Sequence, residues 1–138
     1  MIFLDSWVWL EYVFSGDRDD EAESIIRRAN TPEEGGLIAP TILTEVSYRV
    51  RVVEDEDAAD EAIRAIRDFE YIESMPLVDE IAAYAAALRF KYDEPGEREL
   101  SYADAIHLAT AVVHDDCTAL YSGDPDIADL DEIETIVL

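Results

Sequence analysis

A chain of 138 residues of which 49% are hydrophobic carries enough apolar side chains to bury a core, which excludes a disordered acidic tail. No stretch approaches the roughly 20 apolar residues of a membrane-crossing helix, and the lone Cys117 excludes an internal disulfide and a cysteine zinc cluster. The formal net charge is −24 and Lys91 is the only lysine, so self-repulsion would destabilise the compact state in dilute buffer. At molar salt the Debye length falls to about 3 Å and that repulsion largely disappears. The composition therefore points to a salt-loving microbe with a cytoplasm of high ionic strength; the other reading is an acidic protein with a basic partner. Met1-Ile2-Phe3-Leu4-Asp5 has neither a basic n-region nor a small-residue cleavage site, and a cytoplasmic location with no membrane association is expected.

Met1–Leu4 is a short apolar run suited to a buried strand, and Ser6 offers an N-cap for a helix over Trp7–Phe14. Asp19 or Asp20 caps a second helix that runs through Ala29, with Asn30 as its stop. The loop Thr31–Gly36 leads to a strand over Leu37–Ala39. Pro40-Thr41 then opens a helix with Ile42, Val46, Val50 and Val53 on one stripe. Ala58, Ala62, Ile66 and Phe69 give the next helix its apolar face, and Tyr71-Ile72 falls in a connector or a third strand. Ile81, Ala85 and Leu88 mark another helix, ended by Asp93-Glu94-Pro95-Gly96. From Ser101 to about Val113 the chain is apolar nearly all round, which predicts a central buried helix. Thr118–Ser122 reads as a strand, Gly123–Asp126 as a turn and Thr135–Leu138 as a final strand. Strands alternating with helices predict one α/β domain over residues 1–138, a mostly parallel sheet between helical layers.

In an open parallel sheet functional groups collect beyond the carboxyl ends of the strands. Asp5 ends the first strand, Glu45 lies one turn into the helix after the second, Asp104 sits in the first turn of the buried helix, and Asp124 follows the strand ending at Ser122. All four therefore belong to one edge of the sheet. Carboxylates gathered there repel unless a cation neutralises them, and Mg2+ or Mn2+ suits hard oxygen ligands. Each acid also has a plainer reading. Asp5 could cap the helix after it, Glu45 could pair with Arg49 four residues on, Ser101–Asp104 has the form of a capping box, and Asp124-Pro125 is ordinary turn chemistry.

These segments resemble the PIN-domain family, and most closely the VapC-type ribonucleases of toxin–antitoxin pairs. Phe3-Leu4-Asp5-Ser6 is similar to the family's opening acid followed by a small hydroxyl residue. Thr41-Ile42-Leu43-Thr44-Glu45-Val46 resembles its second motif, and Ser101-Tyr102-Ala103-Asp104-Ala105-Ile106-His107-Leu108-Ala109-Thr110-Ala111 its third. Tyr121-Ser122-Gly123-Asp124-Pro125-Asp126-Ile127 resembles the fourth, with Ile127 where an aromatic is common. The resemblance implies a PIN-like three-layer α/β/α fold and a metal-dependent endoribonuclease using Mg2+ or Mn2+. It makes Asp5, Glu45, Asp104 and Asp124 the acidic set, with Asp5, Asp104 and Asp124 on the metal. It also makes Asp126 an auxiliary acid, with Ser6 and Ser122 bonding carboxylates or the scissile phosphate. It further implies an RNA substrate, a homodimer and a cognate antitoxin that covers the site; with the charge, it implies a halophilic archaeon.

His107, one turn after Asp104 on an apolar helix, reads as a packed, hydrogen-bonded histidine more than as a ligand, and His114 as a partner for the helix's last carbonyls. Trp7 and Trp9 cannot share a helix face, which leaves one free for an antitoxin helix. Arg49, Arg51 and Arg98 are candidates to touch substrate. A haloacid-dehalogenase phosphatase also begins with a strand ending in Asp, but it needs a second Asp where this chain has Trp7. A housekeeping RNA-processing nuclease and a non-catalytic RNA- or protein-binding module are the remaining alternatives. The charge generates a direct expectation: the melting temperature rises between dilute buffer and molar KCl, as thermal unfolding monitored by circular dichroism would show.

Overall fold

A computed structural model describes residues 1–138. In chain order it contains β1 (Ile2–Leu4), α1 (Ser6–Val13), α2 (Asp19–Ala29), β2 (Gly36–Ile38), α3 (Pro40–Val53) and α4 (Glu56–Arg67). There follow β3 (Ile72–Ser74), α5 (Asp79–Tyr92), α6 (Tyr102–Val113), β4 (Ala119–Ser122), a 3-10 turn at Pro125–Ile127 and β5 (Glu134–Val137). The strands join in the order β3-β2-β1-β4-β5, and every pair is parallel. β1 is central because Ile2, Phe3 and Leu4 are apolar on both faces, as a strand covered from above and below must be. In the edge strand β3 only Ile72 is buried. Six helices flank the sheet, giving the expected three-layer α/β/α architecture, and one cluster of 31 buried apolar residues runs through it.

α6 is as buried as its composition predicts. Ala105, Leu108, Ala109 and Ala111 lose nearly all exposure, and the helix touches β1, β2 and β4 as well as α5. In α3 the stripe Ile42, Val46 and Val50 is buried but Val53 is exposed, because the last turn runs past the packed layer. In α4 the buried residues are Ala59, Ala62 and Ile66. Phe69 lies beyond the helix end and packs on Trp9, ring centroids 5.7 Å apart.

The caps differ from expectation at three helices. Asp5, and not Ser6, occupies the N-cap position of α1, yet its carboxylate makes no capping bond. Arg18 occupies the cap position of α2, and Asp19, Asp20 and Glu21 fill the first turn, where the helix dipole favours acids. At the end of α6 the extended backbone of His114 swings its ring away from the carbonyls, and Nε2 lies 2.8 Å from Glu73. Trp9 is fully buried and unavailable to a partner, whereas Trp7 is half-buried.

Gly123, between Ser122 and Asp124, is required by close approach. A methyl group there would overlap the Trp7 indole. Gly123→Ala must displace either the ring or the turn that carries Asp124, and overpacking of this kind costs about 1–3 kcal/mol. The expected result is a lower urea midpoint with an unchanged denaturant slope.

Candidate active site

The order β3-β2-β1-β4-β5 reverses direction at β1, whose two neighbours continue the chain to opposite sides. The carboxyl ends of β1 and β4 thus form the crevice where ligands bind in open α/β sheets. Asp5 leaves the end of β1 with its N–H donated to Tyr121 of β4. Its carboxylate is almost completely buried, and both oxygens are taken. Ser122 Oγ donates to Oδ2 at 2.6 Å, and His107 Nδ1 lies 3.0 Å from Oδ1. Burial alone would raise the Asp5 pKa, but the His107 and Ser122 bonds outweigh it and hold the group below its usual value.

A carboxylate only accepts, so Nδ1 of His107 carries the proton. Its Nε2 lies 2.8 Å from the Thr41 hydroxyl in the first turn of α3. Four residues along the same helix, Glu45 Oε1 lies 3.4 Å from Nε2 and is buried without a hydrogen bond. Thr41 is the nearer partner of Nε2, and the Glu45 oxygen beyond it is left without a hydrogen bond from the ring. Arg49 does not pair with Glu45, so the expected alternative of a surface ion pair is absent.

Asp104 has two occupations. With Ser101 it forms a reciprocal capping box: Ser101 N–H donates to its Oδ2 at 3.2 Å and Ser101 Oγ accepts its N–H at 3.1 Å. It is also grouped with Asp5 and His107, one potential ligand atom from each lying within 4.8 Å of the others. Burial, then the nearby Asp5 charge, raises the Asp104 pKa against the Ser101 bonds. Burial likewise raises that of Glu45, reinforced by Asp5 and Asp104 and opposed by His107 and the Ser6 hydroxyl. Asp104 further borders an open cleft of about 480 Å3 lined by Asp124, Asp126, Asp93 and Glu99, with Arg89 as its one cation. Asp124 lies in this cleft outside the tight group. Its Oδ1 accepts the Asp126 N–H at 2.9 Å, its own N–H donates to Ser122 Oγ at 3.0 Å, and Asp126 accepts from Glu99 N–H at 3.3 Å.

The donor set fits a hard divalent cation. An orphaned buried carboxylate oxygen on Glu45, beside two acids whose proton affinities are pulled apart, is what a missing positive charge would reconcile. Thr41, the His107 bridge and Arg89 were not assigned to the site from sequence. The signals were present as spacing: Thr41 and Glu45 are four apart on one helix, and Asp104 and His107 three apart on another.

The family model for the PIN domain matches residues 2–133. This chain belongs to the PIN-domain family. No curated protein matches the sequence. The PIN domain superposes on a Mycobacterium tuberculosis VapC20 structure, described as a sarcin-ricin loop cleaving toxin, with TM-score 0.76 and 23% identity over 97% of this chain and 99% of that one. It also matches Rickettsia felis VapBC2 bound to a promoter DNA fragment, with TM-score 0.76 and 12% identity over 99% and 98% of the two chains. A toxin–antitoxin complex from Klebsiella pneumoniae gives TM-score 0.68 and 23% identity over 96% and 95%. At these identities the neighbours establish the shared fold of the PIN domain.

The pKa directions fix the sign of the pH response. The lowered Asp5 value contributes stability above its unfolded pKa that is lost as pH falls through the folded one. The raised Glu45 and Asp104 values act oppositely: without a cation, stability falls as pH rises from their unfolded values through their folded ones. Mn2+ is therefore expected to raise the melting temperature more at pH 7 than at pH 4.5, by on the order of 10 °C at a hundredfold excess over Kd. Asp104→Asn, which retains an acceptor for Ser101, should melt no lower than wild type without metal and lose the Mn2+ shift, both readable by scanning calorimetry.

Proposed function

We propose that residues 1–138 act as one nuclease domain that hydrolyses RNA phosphodiester bonds with Mg2+ or Mn2+, as the toxin of a type II toxin–antitoxin system. The observation that carries this reading is the unpartnered, buried Glu45 oxygen beside His107, on a carboxylate that feels the charges of Asp5 and Asp104 at the switch point of the sheet. Asp5, Glu45 and Asp104 are the residues to hold the ion, with Asp124 reaching it from the cleft. When bound, the ion supplies positive charge to a phosphodiester under attack and lowers the pKa of an attacking water.

The chain's own groups have separable tasks. His107 and Ser122 fix the two oxygens of Asp5, so that its free lone pairs keep one direction. Thr41 fixes the far side of the His107 ring and with it the approach of α3. Ser101 aims Asp104 at the junction of buried group and cleft. Asp126 donates its N–H to Asp124 and so holds that carboxylate at the cleft rim. Ser6, beside Glu45, supplies a hydroxyl to the same edge. A cognate antitoxin is the expected protein partner, supported by neighbours solved as toxin–antitoxin complexes. A homodimer and a cytoplasmic location complete the proposal; no helix is long and apolar enough to cross a membrane.

The test is cleavage of total RNA by the purified protein in molar KCl with Mg2+, Mn2+ or EDTA, beside Asp5→Asn and Asp104→Asn. The expected result is cutting that requires metal and falls by on the order of 100-fold or more in each variant. Folded, antitoxin-free protein that cuts nothing with either metal would replace this reading with a non-catalytic binding module.

A further inference from the structure

Arg89 is the single cation among the nine residues lining the acidic cleft, and its guanidinium is held in place on three sides. Nε donates to the Leu100 carbonyl at 2.8 Å, and Nη2 stands 3.7 Å from Asp93. The guanidinium carbon lies 4.2 Å from the centre of the Tyr102 ring, a cation–π stack. Tyr102 is nevertheless 70% exposed, and Phe90, beside Arg89 on α5, is 92% exposed. Together with Arg89 these rings border a depression that shares Arg89 and Asp93 with the acidic cleft. Tyr102 also lies in the same helical turn as Asp104, so its distance from the carboxylate cluster is set by the capping box.

We propose that Arg89, Tyr102 and Phe90 form a subsite for an unpaired RNA base next to the scissile phosphate. The inference rests on the nuclease reading and deepens it by assigning how the substrate strand is gripped. A protein of net charge −24 repels a polyanion, and ionic contacts are weak in high salt. Base stacking on aromatic faces is attractive without net charge and accepts any base. Arg89, pre-positioned over one face of the Tyr102 ring, complements the phosphate that follows a base stacked on the exposed aromatic surface. A second copy of this chain is the competing occupant of the same aromatic face.

Fluorescence anisotropy with a labelled adenylate octamer, and with its abasic counterpart, tests the subsite with Ca2+ replacing Mg2+. Tyr102→Leu and Phe90→Ser are expected to weaken octamer binding about tenfold each. Phe90→Ser should leave binding of the abasic strand unchanged, Tyr102→Leu should weaken it less than the octamer because Arg89 loses its stacking partner, and neither should alter the Mn2+ affinity. Arg89→Lys should weaken binding of both strands. Equal octamer affinity in wild type and the aromatic variants overturns the subsite, as does an equal loss for the abasic strand. Conversion of a dimer to monomers by the same variants, seen by sedimentation, assigns the face to contact between copies and overturns it as well. Wild-type protein that cuts RNA yet fails to bind the octamer refutes the subsite alone; stacking-dependent binding without any cleavage supports the subsite and refutes the nuclease.

Discussion

The Asp5 carboxylate, buried at the carboxyl end of β1, is the constraint on which the rest of the site depends. A charge in that position is costly unless each oxygen is hydrogen-bonded, and removing one member of such an arrangement costs about 3–5 kcal/mol. Ser122 and His107 meet that demand from β4 and α6. They lie more than 100 residues away in sequence, so a correct Asp5 environment requires β1, β4 and α6 to be docked together. Thr41 extends the chain of bonds through the His107 ring to α3. The parallel sheet, its central helix and the helix carrying Glu45 are thereby tied at one point.

Around this satisfied acid stand two that are not. Glu45 and Asp104 are pushed toward the protonated form mainly by burial, and each feels the Asp5 charge. Local stability and chemical readiness therefore oppose one another. The arrangement that would hold a cation firmly is one the protein tolerates poorly without it. Placing Asp104 in a capping box moderates the conflict, since one oxygen serves the helix while the carboxylate stays at the junction with the cleft.

The surface presents the same tension on a larger scale. An acidic chain whose proposed substrate is a polyanion cannot rely on a basic face. Of its ten basic side chains six lie beside an acid: Arg18 with Glu21, Arg27 with Glu23, Arg28 with Glu34, Arg51 with Glu56 and Asp60, Lys91 with Glu132, and Arg89 with Asp93. Arg98, a substrate candidate from sequence, donates to the Ala128 carbonyl. Arg89 stands apart because its fixed guanidinium faces the acidic cleft and stacks on an exposed ring. Metal bridging and stacking are forces that high salt diminishes least.

The alternation of apolar runs and amphipathic stretches was enough to determine the α/β class, the parallel sheet and the order of elements, because burial on both faces leaves a continuous apolar signature in Ile2–Leu4 and along α6. The position of Asp5, Glu45, Asp104 and Asp124 beyond strand ends was legible for the same reason, and four motifs in order pointed to the PIN family that the match over residues 2–133 shows. Helix caps were less legible: Asp5 sits where a cap would be but directs its carboxylate elsewhere, a choice made by His107 and Ser122. Which acids draw close together, which oxygen is left without a partner and which cation faces the cleft depend on side chains brought together from distant segments. Local pattern carries no record of those distances. Only the tertiary structure decided that His107 supports Asp5, that Asp124 stands in the cleft outside the tight group, and that Arg89 guards its edge.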